Sequence, residues 1–203
     1  MIPNTKETQS LFPEINAELE SRGLRWELHD GNWHLETFYE GYWERRKHLA
    51  YYRKAVEFAN TYSTWTDGGS VLDVGGGIGL GCQYLLDVNA DRKVSIELPS
   101  KGLTLDGVEV IEGEFTEIPI QRFDCALCLQ VLEHQDRPRS FCDRLFQCAP
   151  CVVISVPHDW PASQDPDHVQ HGITEATLEK WAGRIPTELV DTGPRLVAIY
   201  KNP

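Results

Sequence analysis

Residues 71–79 read Val-Leu-Asp-Val-Gly-Gly-Gly-Ile-Gly, a short apolar run that dissolves into four glycines. No other stretch limits the fold so much. The β-branched residues around Asp73 suit a buried strand, and the glycines suit a backbone that turns sharply and lets a ligand approach where any side chain would intrude. A helix is expected to follow from about Leu80. Strand, glycine turn and helix form the opening unit of a nucleotide-type α/β sheet, but such a loop alone is shared by many chemistries.

Beyond Gly69 the text keeps to that plan, with short β-branched runs separated by turns and helical stretches. Strands are predicted over residues 70–74, 93–97, 108–112, 123–127, 151–156, 188–191 and 196–200. The last two are joined only by Thr192-Gly193-Pro194-Arg195, too short for a parallel crossover, so they must be antiparallel neighbours. The expected fold class is α/β: a Rossmann-like, seven-stranded, mostly parallel sheet with a C-terminal antiparallel hairpin and helices on both faces. Upstream, residues 13–22 can form one short helix. The aromatic-rich stretch to Tyr62 places Leu49, Tyr52, Val56 and Ala59 at helical spacing, which predicts a helix over residues 43–61. At 203 residues one core is expected, with residues 1–62 as an N-terminal helical cap or lid and 63–203 as the domain.

Nineteen basic residues against 31 acidic give a net charge of -12, which disfavours nucleic acid as a partner. The N-terminus lacks a signal-peptide pattern and no run approaches a membrane span, so a soluble, cytoplasmic protein is expected, with no membrane partner. Six cysteines sit in or beside apolar segments, as free buried thiols do in a reducing compartment. Cys125-x-x-Cys128 and Cys148-x-x-Cys151 have zinc-site spacing. Residues three apart in a strand point to opposite faces, however, so these thiols are read as packing residues and no metal is assigned.

The Gly-x-Gly-x-Gly spacing, with Asp73 two residues ahead, resembles the first motif of the class I S-adenosylmethionine-dependent methyltransferases. The resemblance implies S-adenosylmethionine held by Asp73, Gly75, Gly77 and Gly79, and an acid at the end of the next strand for the ribose hydroxyls, where Glu97 stands. It also implies that Glu114, where the family commonly has Asp, and the backbone of Phe115 lie near the adenine. Phe123-Asp124 with Val131-Leu132-Glu133-His134 is similar to the signature of the subfamily that includes ubiquinone-biosynthesis O-methyltransferases, with Gln130 near the methionine end. The likeness is good over residues 70–157. One departure is the segment at 98–107, too short and breaker-rich for the usual crossover helix; an irregular loop is expected.

His134, His158, His168 and His171, with Glu133, Asp165 and Asp167, follow the carboxyl ends of strands four and five, the edge where open α/β sheets bind ligands. If the acceptor is a hydroxyl, His134 or His158 is placed to take its proton. Some relatives carry Glu-x-x-Glu-His, a divalent-cation site. Here Gln130 occupies the first position and leaves Glu133, His134 and His168, with local packing as the alternative. Residues 165–171 are a substrate lid or a solvated turn before a helix capped by Thr174. Tyr39, Tyr42, Trp43, Arg45 and Arg46 either pack a helix on the sheet or cover the cofactor.

The resemblance thus implies methyl transfer to a small-molecule acceptor, at oxygen. An Asn/Asp-Pro-Pro-aromatic element is absent after strand four, which lowers base N-methylation. The competing readings are a non-catalytic cofactor-binding regulatory protein, an RNA 2′-O-methyltransferase, and an NAD-type oxidoreductase, which would also carry a glycine loop and an acid.

Overall fold

A computed structural model describes residues 24–29, 32–37, 43, 46–76, 81–98, 105–162 and 168–201, the first two stretches by backbone alone. The chain forms two compact units, Met1–Lys47 and His48–Pro203. In the first, β1 (Leu24–His29) and β2 (Asn32–Thr37) pair antiparallel, His29 opposite Asn32. No strand was expected there, although Asp30-Gly31 between two alternating runs is a hairpin signal. The helix expected over 13–22 lies outside the described residues.

The second unit begins with α1 (Ala50–Tyr62), later than the expected start because Leu49 is extended, with φ -66° and ψ 132°. Its sheet contains β3 (Ser70–Val74), β4 (Arg92–Glu97), β5 (Glu109–Glu112), β6 (Cys125–Leu129), β7 (Cys151–Pro157), β8 (Glu188–Asp191) and β9 (Arg195–Lys201). The order is β5-β4-β3-β6-β7-β9-β8, parallel except for β9, which runs antiparallel to both β7 and β8. That is the expected Rossmann-like sheet with its closing hairpin. Every residue of β6 and β7 is buried, as central parallel strands require.

Strand six starts two residues later than expected because Asp124 has another task. Its carboxylate accepts from the Ser70 N–H at 2.7 Å and the Ser70 hydroxyl at 2.9 Å, so ladder pairing begins at Cys125. After the glycine loop the expected helix is a 3-10 segment, Gly81–Asp87, with residues 77–80 outside the described residues. Within it Cys82, Tyr84 and Leu85 are buried, and the Tyr84 hydroxyl reaches down to Asp73, which ties this short connection to the sheet. Of the segment after Glu97, only Leu98 and residues 105–108 are described. Val108 N–H bonds to Leu105 O at 3.0 Å, closing a tight turn, and the remainder of that expected loop falls outside the described residues.

Alternation along the strands sends side chains to two layers. Val152, Ile154, Val156, Leu196, Ala198 and Tyr200 pack with α2 (Pro138–Cys148) and α3 (Glu175–Ala182) in one core. α1 packs on β7, β9 and the 3-10 segment, burying Tyr51, Tyr52, Ala55, Phe58 and Ala59 at helical spacing. Thr174 caps α3 by accepting from Thr177 N–H at 3.3 Å, and Gly183 ends it in the left-handed region at φ 68°.

All six cysteines are free and buried. Cys125 and Cys151 face each other across β6 and β7 with sulfurs 3.8 Å apart, whereas Cys128 and Cys148 belong to the α2-side core. The four thiols therefore do not converge on one point. Among the described residues, no helix is long and apolar enough to cross a membrane.

Candidate active site

The carboxyl ends of β3, β4 and β5 are laced together by main-chain bonds. Gly75 N–H donates to Ile96 O at 2.9 Å and Gly113 N–H to Glu97 O at 2.8 Å, which fixes Glu97 beside the glycine turn. The glycines here are demanded by the protein itself. At Gly75, φ is 74° and a side chain would strike Val131 Cγ2 at 2.5 Å; at Gly76 it would meet the Asp73 carboxylate and Ser95 Oγ. At Gly75 and Gly76 the turn is thus pressed onto the sheet edge. Gly77 and Gly79 lie outside the described residues.

Asp73, 1% exposed, forms the floor of this turn. Its carboxylate accepts from the Tyr84 hydroxyl and from Ser95 Oγ at 3.1 Å. Burial pushes its carboxyl up to about 7, against the pull of those two hydroxyls. With both oxygens engaged below the loop, Asp73 acts by positioning the turn. Glu97 is half-buried and accepts from Leu98 N–H at 3.1 Å. Glu114 is exposed and starts a turn, its carbonyl accepting from Glu117 N–H at 2.9 Å. The Phe115 ring is in the core, 5.0 Å from Phe141, so only its main chain can face the edge.

A second group of side chains gathers at the ends of β6, β7 and β9. Gln130 follows β6 in the left-handed region, φ 60°, which costs roughly 1–2 kcal/mol for a residue with a Cβ. Three bonds hold it there: N–H to Ser155 O at 2.8 Å, Nε2 to Ser155 Oγ at 2.8 Å, and Oε1 accepting from Arg195 Nε at 2.7 Å. The side chain of Gln130 is thereby committed to β7 and β9. The Arg195 guanidinium lies 4.8 Å from the Tyr51 ring and 5.3 Å from Trp160. Tyr51 touches Tyr52, and Tyr52 lies 5.1 Å from Tyr84, so an aromatic ladder links Arg195 to the residue that braces Asp73.

The two candidate bases occupy different settings. His158 directly follows β7, and its Nδ1 lies 3.1 Å from Asp191 Oδ2 at the end of β8. His134 is exposed on the 3-10 turn Leu132–His134, its ring 4.8 Å from His168. Glu133, fully buried, joins these two: one ligand atom from each of Glu133, His134 and His168 lies within 4.8 Å of the others. The Glu133 carbonyl accepts from Val169 and Gln170 N–H, both at 2.9 Å, which pins the His168 segment against the turn. Trp160 stacks on His168 at 5.8 Å and extends the group to Arg195. His171 is exposed, and Asp165 and Asp167 lie outside the described residues, as do Tyr39, Tyr42 and Arg45.

Sequence reasoning missed Tyr84, Ser95, Trp160, Asp191 and Arg195. The position just past strand five singled out His158 and also covered Trp160. No local signal marked Arg195 or Asp191, which reach the site only through the antiparallel hairpin.

A family model described as a methyltransferase domain matches residues 42–191. No curated protein matches the sequence significantly. Among solved structures, a chain of the complex between the Haloferax volcanii Trm112 methyltransferase activator and its methyltransferase is 14% identical, with 81% of this chain and 93% of that one covered and a TM-score of 0.62. A SAM-dependent methyltransferase from Aquifex aeolicus is 19% identical over 77% of this chain and 91% of its own, with a TM-score of 0.56. Mitomycin 7-O-methyltransferase MmcR is 20% identical over 74% and 53%, with a TM-score of 0.51. At such identities the structural likeness is one of fold, and the family rests on the domain match. Sheet order, glycine turn and domain match agree: the chain belongs to the methyltransferase domain family and is a class I S-adenosylmethionine-dependent methyltransferase.

Proposed function

We propose that the enzyme methylates an oxygen of a small-molecule acceptor, with His158 taking the proton. The observation that carries this reading is the His158 Nδ1 to Asp191 Oδ2 contact of 3.1 Å. A carboxylate on Nδ1 fixes the tautomer and ring orientation and leaves Nε2 to accept a proton. His158 N–H also bonds to Pro194 O at 3.0 Å, so the residue is anchored from two sides at the ligand edge. His134 is the alternative base.

The side-chain-free turn at Gly75 and Gly76, with the Glu97 carboxylate at the next strand end, fits the adenosine of S-adenosylmethionine. Glu97 would hold the ribose, Gly75 and Gly76 the chain beside it, and Glu114 with the Phe115 main chain the adenine side. When bound, the cofactor supplies an electrophilic methyl group on a sulfonium. The protein's own part is to hold the acceptor in line, exclude water and remove its proton. The Val131 to His134 segment supports a place near the ubiquinone-biosynthesis O-methyltransferases, and mitomycin 7-O-methyltransferase shares the fold. A net charge of -12 argues against an RNA acceptor.

A second reading is carried by the convergence of Glu133, His134 and His168: a divalent cation there would position the acceptor hydroxyl. Tritiated S-adenosylmethionine with a panel of phenols and catechols tests both. On the first reading His158→Ala abolishes transfer and a chelator does nothing. Transfer that survives His158→Ala but fails in His134→Ala, and that a chelator suppresses, replaces the first reading by the second.

A further inference from the structure

We infer that Arg195 is the acceptor-recognition residue and that the methyl acceptor carries a carboxylate. This rests on the small-molecule reading above and narrows it to a substrate class. Arg195 opens β9 and pairs with Pro157, the last residue of β7, which places it at the ligand edge of the sheet. Its Nε–H is taken by Gln130, and the rings of Tyr51 and Trp160 flank its head group. These contacts hold the guanidinium still while using one of its five N–H donors.

Among the described residues, no carboxylate pairs with it. Lys54, Arg92 and Arg139 pair with Glu57, Glu109 and Asp143, whereas Arg195 is held in place by an amide oxygen and two aromatic rings. Asp191, at the other end of the short hairpin link, is engaged elsewhere: Oδ2 faces His158, and Oδ1 accepts from Gly193 N–H at 2.7 Å. A half-buried guanidinium with its terminal nitrogens unspent matches a carboxylate, which it can take by two parallel hydrogen bonds. The left-handed backbone of Gln130 is strain retained where it aims this residue. His158 follows Pro157, the strand partner of Arg195, and the aromatic face of Trp160 leads from Arg195 to His168 and His134, so an acceptor anchored by its carboxylate lies among these histidines.

Two carboxylates are available in the reaction, that of the acceptor and that of the cofactor's methionyl group, and one experiment separates them. The full chain saturated with S-adenosylhomocysteine is titrated calorimetrically with benzoate and with benzamide, in wild type, Arg195→Met and Arg195→Lys. The expected result is benzoate binding at least about tenfold tighter than benzamide in wild type, with that preference lost in Arg195→Met. Affinity for S-adenosylhomocysteine alone should change by less than about twofold in the same variant. Arg195→Lys keeps the charge without the fork and should lose part of the preference; it carries the test if Arg195→Met does not fold.

Equal binding of the two probes to wild type, binding of neither, or a preference that survives both substitutions overturns the inference. A loss of S-adenosylhomocysteine affinity of about tenfold or more in Arg195→Met, with benzoate still preferred, overturns it in favour of the cofactor's carboxylate. Failure of the small-molecule reading looks different: benzoate is still discriminated, yet no hydroxylated small molecule accepts tritium.

Discussion

The two halves of the ligand edge are made of different material. On the side of β3, β4 and β5 the site is mostly main chain: a glycine turn without room for side chains, tied to β4 by the Gly75 N–H and supported from beneath by Asp73, with the Glu97 carboxylate beside it and the start of the next loop tied to β4 by the Gly113 N–H. On the side of β6, β7 and β9 it is side chain: Gln130, Glu133, His134, His158, Trp160, His168 and Arg195, contributed by separate segments. A backbone cradle suits a ligand that every relative shares, and a side-chain cluster can be changed to suit the acceptor without disturbing it. The halves meet where Gly75 packs on Val131, and a ring ladder from Arg195 through Tyr51 and Tyr52 to Tyr84 also links them.

If the halves are this separate, damage to one should spare the other. The largest effect is expected from His158→Ala, which should lower kcat by about 10²–10⁴-fold while S-adenosylhomocysteine affinity by calorimetry stays put. A parallel fall in cofactor affinity would break the distinction. Next is the pH response of the cofactor half. Because burial raises the Asp73 carboxyl from 3.8 to about 7, the fold favours its neutral form. That stabilisation is complete below about pH 4 and disappears as pH climbs through 7, a swing on the order of 4 kcal/mol. Asp73→Asn cannot titrate, so wild-type stability measured against it by urea unfolding should decline between pH 4 and pH 8; parallel curves would show that the carboxyl is not perturbed.

Smaller still, Gly76→Ala should cost about 1–3 kcal/mol, because its methyl must displace the Asp73 and Ser95 oxygens. It should also weaken S-adenosylhomocysteine binding; a variant that binds normally would mean the turn is not the cradle. Thr174→Ala removes the cap of α3 and should cost about 1 kcal/mol in thermal or urea unfolding, with cofactor affinity unaltered.

Most of the sheet was readable because strand runs and short links are local. Ser70–Val74 and Glu188–Asp191 fall where the β-branched pattern put them, and the short link before Arg195 required the antiparallel partner that β9 has. The misses have local causes too. Phe123 and Asp124 read as strand, but their main-chain and carboxylate bonds go to Cys148 and Ser70. The segment after the glycine loop reads only as a helix, and the pull of Tyr84 onto Asp73 accompanies its tighter 3-10 form.

By itself the sequence determined the parallel sheet with its closing hairpin and the glycine turn, because each is a demand on contiguous backbone; the acid at the end of β4 was picked out by the family resemblance. The sequence also placed His134 and His158 after the strands that β6 and β7 form, at the carboxyl end of the sheet. Tertiary structure alone decided that Asp73 supports the turn from below, that Asp191 meets His158, and that Gln130 aims Arg195 between Tyr51 and Trp160. These are meetings between residues far apart in the chain, and they depend on strand order and register, which one sequence does not spell out residue by residue.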